Sequence, residues 1–306
     1  MIRTVATRAI RIPGILLAVM LAVSCAASTA GQHMPARSLD RFEAVIAHAP
    51  DVATDVERAR QVLLAYRTLV QPLVANGPRL SERAMQRMFG TVYAAYFYTL
   101  SDEVLADLET AFDQLRSMDR VTTEDVRHFH GALVGGRRLD RANALAQEFG
   151  IGDDLPPMAV RMDAAEGPRI IRFTSEETAV VEPWQDRGLA LLMTAHPGCG
   201  FSRRALAAIR QDGALSQWVA AHGVLLAPPD LTGDLRVYSR WALGNADLPV
   251  RIAYRRDDFG SIDSWATPNF YVLKDGEVIA RLEGWPKGRT TASVRQLLQT
   301  AGVRIP

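Results

Sequence analysis

The chain has 306 residues, of which 48% are hydrophobic, enough to build two domains with packed cores. Lys and Arg total 35 against 34 Asp and Glu, a formal net charge of +1, which excludes a global field directed at nucleic acid or at an acidic substrate. It contains two cysteines, Cys25 and Cys199, too few for a disulfide framework.

Residues 1–30 read as a secretory signal. Arg3, Arg8 and Arg11 form a basic start, and Ile15 to Val23 form an apolar core too short to span a bilayer. Two exits stay open. Ser28-Thr29-Ala30 before Gly31 suits an ordinary signal peptidase. Ala22-Val23-Ser24-Cys25 resembles a lipoprotein box, which would place a lipid on Cys25 and anchor the chain to a membrane. Either way the expected location is the periplasm, and the mature chain keeps one free thiol.

Residues 31–155 are expected to form an all-α domain of helical hairpins, entered through a small, polar tether at 31–38. Apolar residues recur at helical spacing: Phe42, Val45, Ile46 and Ala49; Val56, Ala59, Leu63, Tyr66, Val70 and Leu73, with Pro72 ending or kinking the helix; Met85, Met88, Phe89, Val92 and Tyr96; Leu105, Leu108, Phe112 and Leu115; Val126, Phe129 and Leu133; Leu139, Ala142, Leu145 and Phe149. Ser101 or Asp102, and Thr122 or Thr123, are the expected caps, and Gly150 the last stop. Gly136 to Ala142 resembles the start of a tetratricopeptide-repeat helix, so a bundle and a repeat array both stand. Tyr93, Tyr96, Phe97 and Tyr98 form either core or a ligand groove. His128 and His130, two apart, point to different helix faces and offer no metal pair. Asp257-Asp258 lacks calcium-loop spacing, and no Gly-rich phosphate loop occurs, so neither metal nor cofactor is expected.

After a linker near Asp153 to Pro157 the pattern changes. Residues 156–306 are expected to fold as an α/β domain, a central sheet with helices on both faces. Strands are predicted over Arg169–Phe173, Ala179–Glu182, Leu189–Thr194, Gly223–Ala227, Asn269–Lys274 and Glu277–Glu283, the last two joined by an Asp275-Gly276 turn. Helices are predicted over Ser202–Arg210, Leu235–Leu243 and Thr290–Ala301.

The strand over Leu189–Thr194 runs into His196-Pro197-Gly198-Cys199-Gly200-Phe201-Ser202 and then a helix. A thiol at that junction meets unpaired backbone N–H groups and the positive end of a helix dipole, which favour thiolate. His196 either adds positive charge or is a solvent-exposed loop histidine.

This segment, followed by Thr267-Pro268 before the hairpin and Gly284 after it, resembles the thioredoxin-like superfamily. The resemblance covers about 187–302. It implies a catalytic Cys199, with Ser202 beside it, and Pro197, Gly200 and Phe201 supporting the motif. It also implies a cis-proline at Pro268 and a substrate groove along Thr267, Pro268 and Gly284, where an extended peptide would pair as an added strand. Two departures matter. Ser202 stands where a dithiol enzyme has its second cysteine, so no internal disulfide can form. The strand before the motif, Leu189-Ala190-Leu191-Leu192-Met193-Thr194, lacks the buried acid of many thioredoxins. Cys-Gly-Phe-Ser is also the motif of monothiol glutaredoxins, with their glutathione and iron–sulfur chemistry, but that family's upstream lysine and downstream Cys-Asp-Asp segment are absent.

These features point to an exported single-thiol oxidoreductase or isomerase. Its partners would be exported protein thiols and disulfides, with an external thiol as reductant. The rival reading is a non-catalytic adaptor that holds a partner in the same groove or on the helices.

Overall fold

A computed structural model describes residues 36–52, 54–75, 80–152, 159–162, 167–184, 188–229, 235–245 and 247–305. The expected leader with Cys25, most of the expected tether and the expected linker at 153–157 lie outside the described residues. Helix α1 covers 36–48, so the last residues of the expected tether are helical. The helical series continues with α2 (Asp55–Leu69), α3 (Gln71–Val74), α4 (Glu82–Thr99), α5 (Asp102–Ser117), α6 (Thr123–Gly135) and α7 (Leu139–Glu148). Several start where local chemistry directs, whereas α5 and α7 begin without a side-chain cap bond. Thr122 accepts from the Asp125 amide while the Asp125 carboxylate accepts from the Thr122 amide, a reciprocal capping box. Ser81 caps α4 through the Ala84 amide, and Pro72 occupies the first turn of α3, where its missing N–H costs nothing. Consecutive helices α4 and α5, then α6 and α7, pack as hairpins.

The aromatic run on α4 divides around the helix. Tyr96 is fully buried, Phe97 is 51% exposed, and Tyr93 stacks on His128 with ring centroids 4.3 Å apart. Successive residues on a helix lie about 100° apart, so a run of four cannot line one groove.

The α/β part holds one mixed eight-stranded sheet in the order β1-β3-β2-β6-β5-β4-β7-β8. The strands are β1 (Ala159–Met162), β2 (Arg169–Phe173), β3 (Thr178–Pro183), β4 (Leu189–Thr194), β5 (Gly223–Ala227), β6 (Val250–Ala253), β7 (Asn269–Lys274) and β8 (Glu277–Glu283). Strands β4, β5 and β6 run parallel, while β7 is antiparallel to β4 and forms the hairpin with β8. Asp275 and Gly276 sit at φ of 52° and 83°, the positive values that a two-residue hairpin turn requires. Helices α8 (Gly200–Gln211), α9 (Gly213–His222), α10 (Leu235–Leu243) and α11 (Thr291–Thr300) complete the unit.

One face of the sheet carries helices. Leu191, Met193, Leu225, Phe270 and Val272 pack against Leu206 and Ile209 of α8, Val219 of α9 and Val294 and Leu298 of α11. Each such buried side chain contributes roughly 1.5–3 kcal/mol. The other face differs from the expected helices on both sides. There Ile170, Leu192, Leu226, Ala253, Tyr271 and Leu273 are roofed by Phe259, Ile262 and Trp265 from the β6–β7 connection, and no α-helical residue joins that cluster among the described residues. The connection is rich in turn formers (Gly260, Ser261, Asp263, Ser264), so it folds back as a short 3-10 turn and coil carrying large apolar side chains.

The helical series and the sheet share one buried cluster: Ile171, Phe173, Val181, Ile252 and Tyr254 pack with the cores of α1–α7 and with Tyr238 of α10. Polar bonds reinforce the junction. Arg137, itself only 9% exposed, donates to the carbonyls of Ala253 at 2.7 Å and Tyr254 at 2.9 Å. Asp55 at the start of α2 accepts from the Trp265 amide at 2.6 Å.

Candidate functional site

Strand β4 ends at Thr194, and a short loop delivers Cys199 to the N-cap of α8 with extended backbone, φ −80° and ψ 113°. The helix therefore begins at Gly200, two residues before the expected Ser202. The Cys199 thiol is half-buried and donates to the Thr267 carbonyl at 3.2 Å. The Thr267–Pro268 peptide is cis, at the position the sequence resemblance implies. Sulfur and proline loop thus meet across strands β4 and β7, which pair from Thr194↔Asn269 onward.

Partial burial pushes the Cys199 thiol up. Hydrogen bonding from the Thr267 side chain, from the Ser202 amide and hydroxyl and from the Phe201 amide outweighs it and holds the thiol below its ordinary value. The Ser202 hydroxyl is 1% exposed and makes no hydrogen bond of ordinary geometry, yet it lies near enough to the sulfur to favour the anion. The sheet beneath α8 offers Leu191, Met193, Leu225 and Phe270, all apolar.

His196 turns Nδ1 to the Gly198 amide, which donates at 3.0 Å, and sets its ring edge-on to Tyr238 at 5.4 Å. An accepting Nδ1 assigns the neutral ring its proton on Nε2. Pro197 gives its carbonyl to Arg203 Nη1 at 2.9 Å. Phe201 is 49% exposed with the Arg204 guanidinium 4.5 Å above its ring. Gly284 has φ +65°, and its amide donates to the buried Asn269 side chain at 3.0 Å, tying the groove's far wall to the first residue of β7.

Sequence reasoning missed two contributors. Thr194 is fully buried; its hydroxyl donates to the Ala266 carbonyl at 2.6 Å and accepts from the Asn269 amide at 2.8 Å, bracketing Thr267 and Pro268. A lone hydroxyl ending an apolar strand was the available signal. The second is Arg203, whose Nη1 bond to the Pro197 carbonyl braces the motif loop.

A cavity of about 320 Å³ opens elsewhere, on the second face of the sheet, lined by Arg172, Glu182, Trp184, Val224, Arg251 and others. It lies where the parallel strands β4 and β5 begin, whereas Cys199 follows the end of β4.

No protein-family model matches the chain, and no curated protein matches it. Among solved structures it is similar to a thioredoxin-like protein from Bacteroides caccae, at 14% identity and a TM-score of 0.30, over 85% of this chain and 92% of that one. That likeness is loose. The β5-β4-β7-β8 strand order, the helix after β4 and the proline loop facing the thiol are compatible with the thioredoxin-like α/β domain that the sequence resemblance implies.

Proposed function

We propose that the chain is an exported, single-thiol thiol–disulfide oxidoreductase or isomerase acting on protein disulfides, with 156–306 as its thiol-bearing unit and 31–155 presenting substrates. One observation carries the reading: a thiol held below its ordinary value at a helix N-cap, 3.2 Å from the carbonyl before a cis-proline. Cys199 thiolate attacks a substrate disulfide, forming a mixed disulfide and expelling the other substrate sulfur as thiolate, which takes a proton from water. An external thiol, or the expelled sulfur attacking elsewhere, then breaks the mixed disulfide and returns Cys199 as thiolate. Ser202 hydrogen-bonds the anion but cannot resolve it. The Thr267 amide has no hydrogen-bond partner among the described residues, which leaves it to pair with an extended substrate backbone.

The test is trapping of mixed disulfides in the periplasm. Wild-type protein should yield thiol-sensitive adducts that the Cys199→Ser variant lacks. If no adduct forms while partners still co-purify with Cys199→Ser, the groove is an adaptor and the catalytic reading falls. Cys25→Ala separates the two leader readings: loss of membrane association identifies a lipid anchor.

A further inference from the structure

The roof of Phe259, Ile262 and Trp265 covers only part of the second sheet face, and none of the three lines the cavity of about 320 Å³ beside it. That volume stands at the low end of the roughly 300–1,000 Å³ of small-molecule sites. Its walls are of two kinds. Ile170, Leu273 and the half-buried Trp184, which stands edge-on to Phe259 at 5.6 Å, make an apolar side. Arg172, Glu182 and Arg251 make a charged one. Glu182 pairs directly with Ile170 across β2 and β3, and Arg172 lies two residues along from Ile170, so all three side chains leave the same face. Arg172 uses only Nε on Glu182, donating to both carboxylate oxygens at 2.9 Å. Its Nη1 and Nη2 have no hydrogen-bond partner among the described residues, so a side chain of the cavity wall holds two donor groups in reserve. Arg251 Nε stands 3.9 Å from the same carboxylate. Two guanidiniums thus share one carboxylate, an excess of one positive charge among the described lining residues with histidine counted neutral. The three side chains are between 20% and 36% exposed, so salt screens their charges less than those of open surface residues.

We propose that this cavity binds a small carboxylic acid with a flat apolar body, its carboxylate received by Arg172 and Arg251 and its body lying between Trp184 and the floor of Ile170 and Leu273. A guanidinium presents parallel N–H groups that match the two oxygens of a carboxylate. An indole offers a broad apolar surface against which a flat body packs. A single carboxylate neutralises the excess charge, whereas a phosphate monoester, with a charge of about −1.5 to −2, overshoots it and is repelled by Glu182. The site lies at the opposite end of β4 from Cys199, and it does not depend on the chemistry proposed there.

The experiment titrates the full chain with phenylacetate and follows the indole N–H resonances by NMR, the Trp184 signal being identified by its absence from Trp184→Phe. Phenylacetate should move that signal saturably. It should bind about tenfold more tightly than phenylacetamide, which keeps the ring and loses the charge, and than acetate, which keeps the charge and loses the ring. Phenyl phosphate should bind more weakly than phenylacetate. Added salt should weaken the phenylacetate titration and leave that of phenylacetamide unchanged. Two variants set the sign. Arg172→Met should lose most of the preference for the anion, and Glu182→Gln, which removes the competing carboxylate, should strengthen phenylacetate binding several-fold. No saturable shift, or equal binding of phenylacetate and phenylacetamide, overturns the inference in the wild type, and that comparison needs no variant to fold. Tighter binding of phenyl phosphate, or weaker binding of phenylacetate by Glu182→Gln, overturns it as well. Cys199→Ser should titrate as the wild type does, so failure at this cavity leaves the thiol reading standing.

Discussion

Thr194 and Ala266 are joined by a 2.6 Å hydrogen bond from the threonine hydroxyl to the alanine carbonyl, and the same hydroxyl receives the Asn269 amide. One buried oxygen thereby closes the loop that carries the carbonyl over the thiol. Replacing it by the isosteric Thr194→Val leaves a carbonyl and an amide buried without partners, a loss of about 2–4 kcal/mol. Thr194→Ser keeps the bonds and should lose under half of that. Urea unfolding of the two variants measures the difference.

Ser202→Ala should raise the Cys199 pKa, because it removes one of the groups that favour the anion. The rate of iodoacetamide alkylation against pH should keep its shape and move its midpoint upward. The depressed folded-state pKa also has a stability consequence. Thiolate stabilisation is fully present above the thiol's ordinary value and is lost as pH falls through the lower folded value. Cys199→Ala should therefore narrow the stability gap between alkaline and neutral pH.

Arg137→Met removes charged donors from two backbone carbonyls at the junction of α6 with β6, and with them the contact to the Tyr254 ring. A loss of about 2–4 kcal/mol is expected, read from the denaturant midpoint. Arg137→Lys should recover little of it, since one ammonium cannot reproduce the fork that reaches both carbonyls.

At Gly284 the backbone, not the space, sets the cost. A Cβ there would come no closer than 4.0 Å, to Pro286, but φ is +65°. Gly284→Ala should destabilise by about 1–2 kcal/mol and Gly284→Asn by less, a ranking that thermal melts can check.

Local signals in the sequence were sufficient where short-range chemistry decides structure. The Asp275-Gly276 turn, the Thr122 cap and the apolar run into Cys199 all stand where the residues indicated. What escaped reading was short or non-local. Strands β1 and β6 are each four residues long, and β6 has Arg251 inside it, so neither makes a visible alternation. Helix α9 is short and mostly small or apolar, and Ser216, Gln217 and His222 are too few to set a period. Its one signal was Asp212, which accepts from the Leu215 amide as N-cap. The roof of Phe259, Ile262 and Trp265 became a roof only through tertiary packing. Arg203 reads as an ordinary solvated helix residue, because its bond to the Pro197 carbonyl depends on how the loop before the helix folds.

The bond from Asp55 to the Trp265 amide gives the helical half a grip on the very loop that ends at Thr267. A load applied to α2 pulls on a tie fastened beside the carbonyl that greets the sulfur. A shift of α2 would thus reach the proline loop through a single bond, although no helical residue of that half need touch the sulfur.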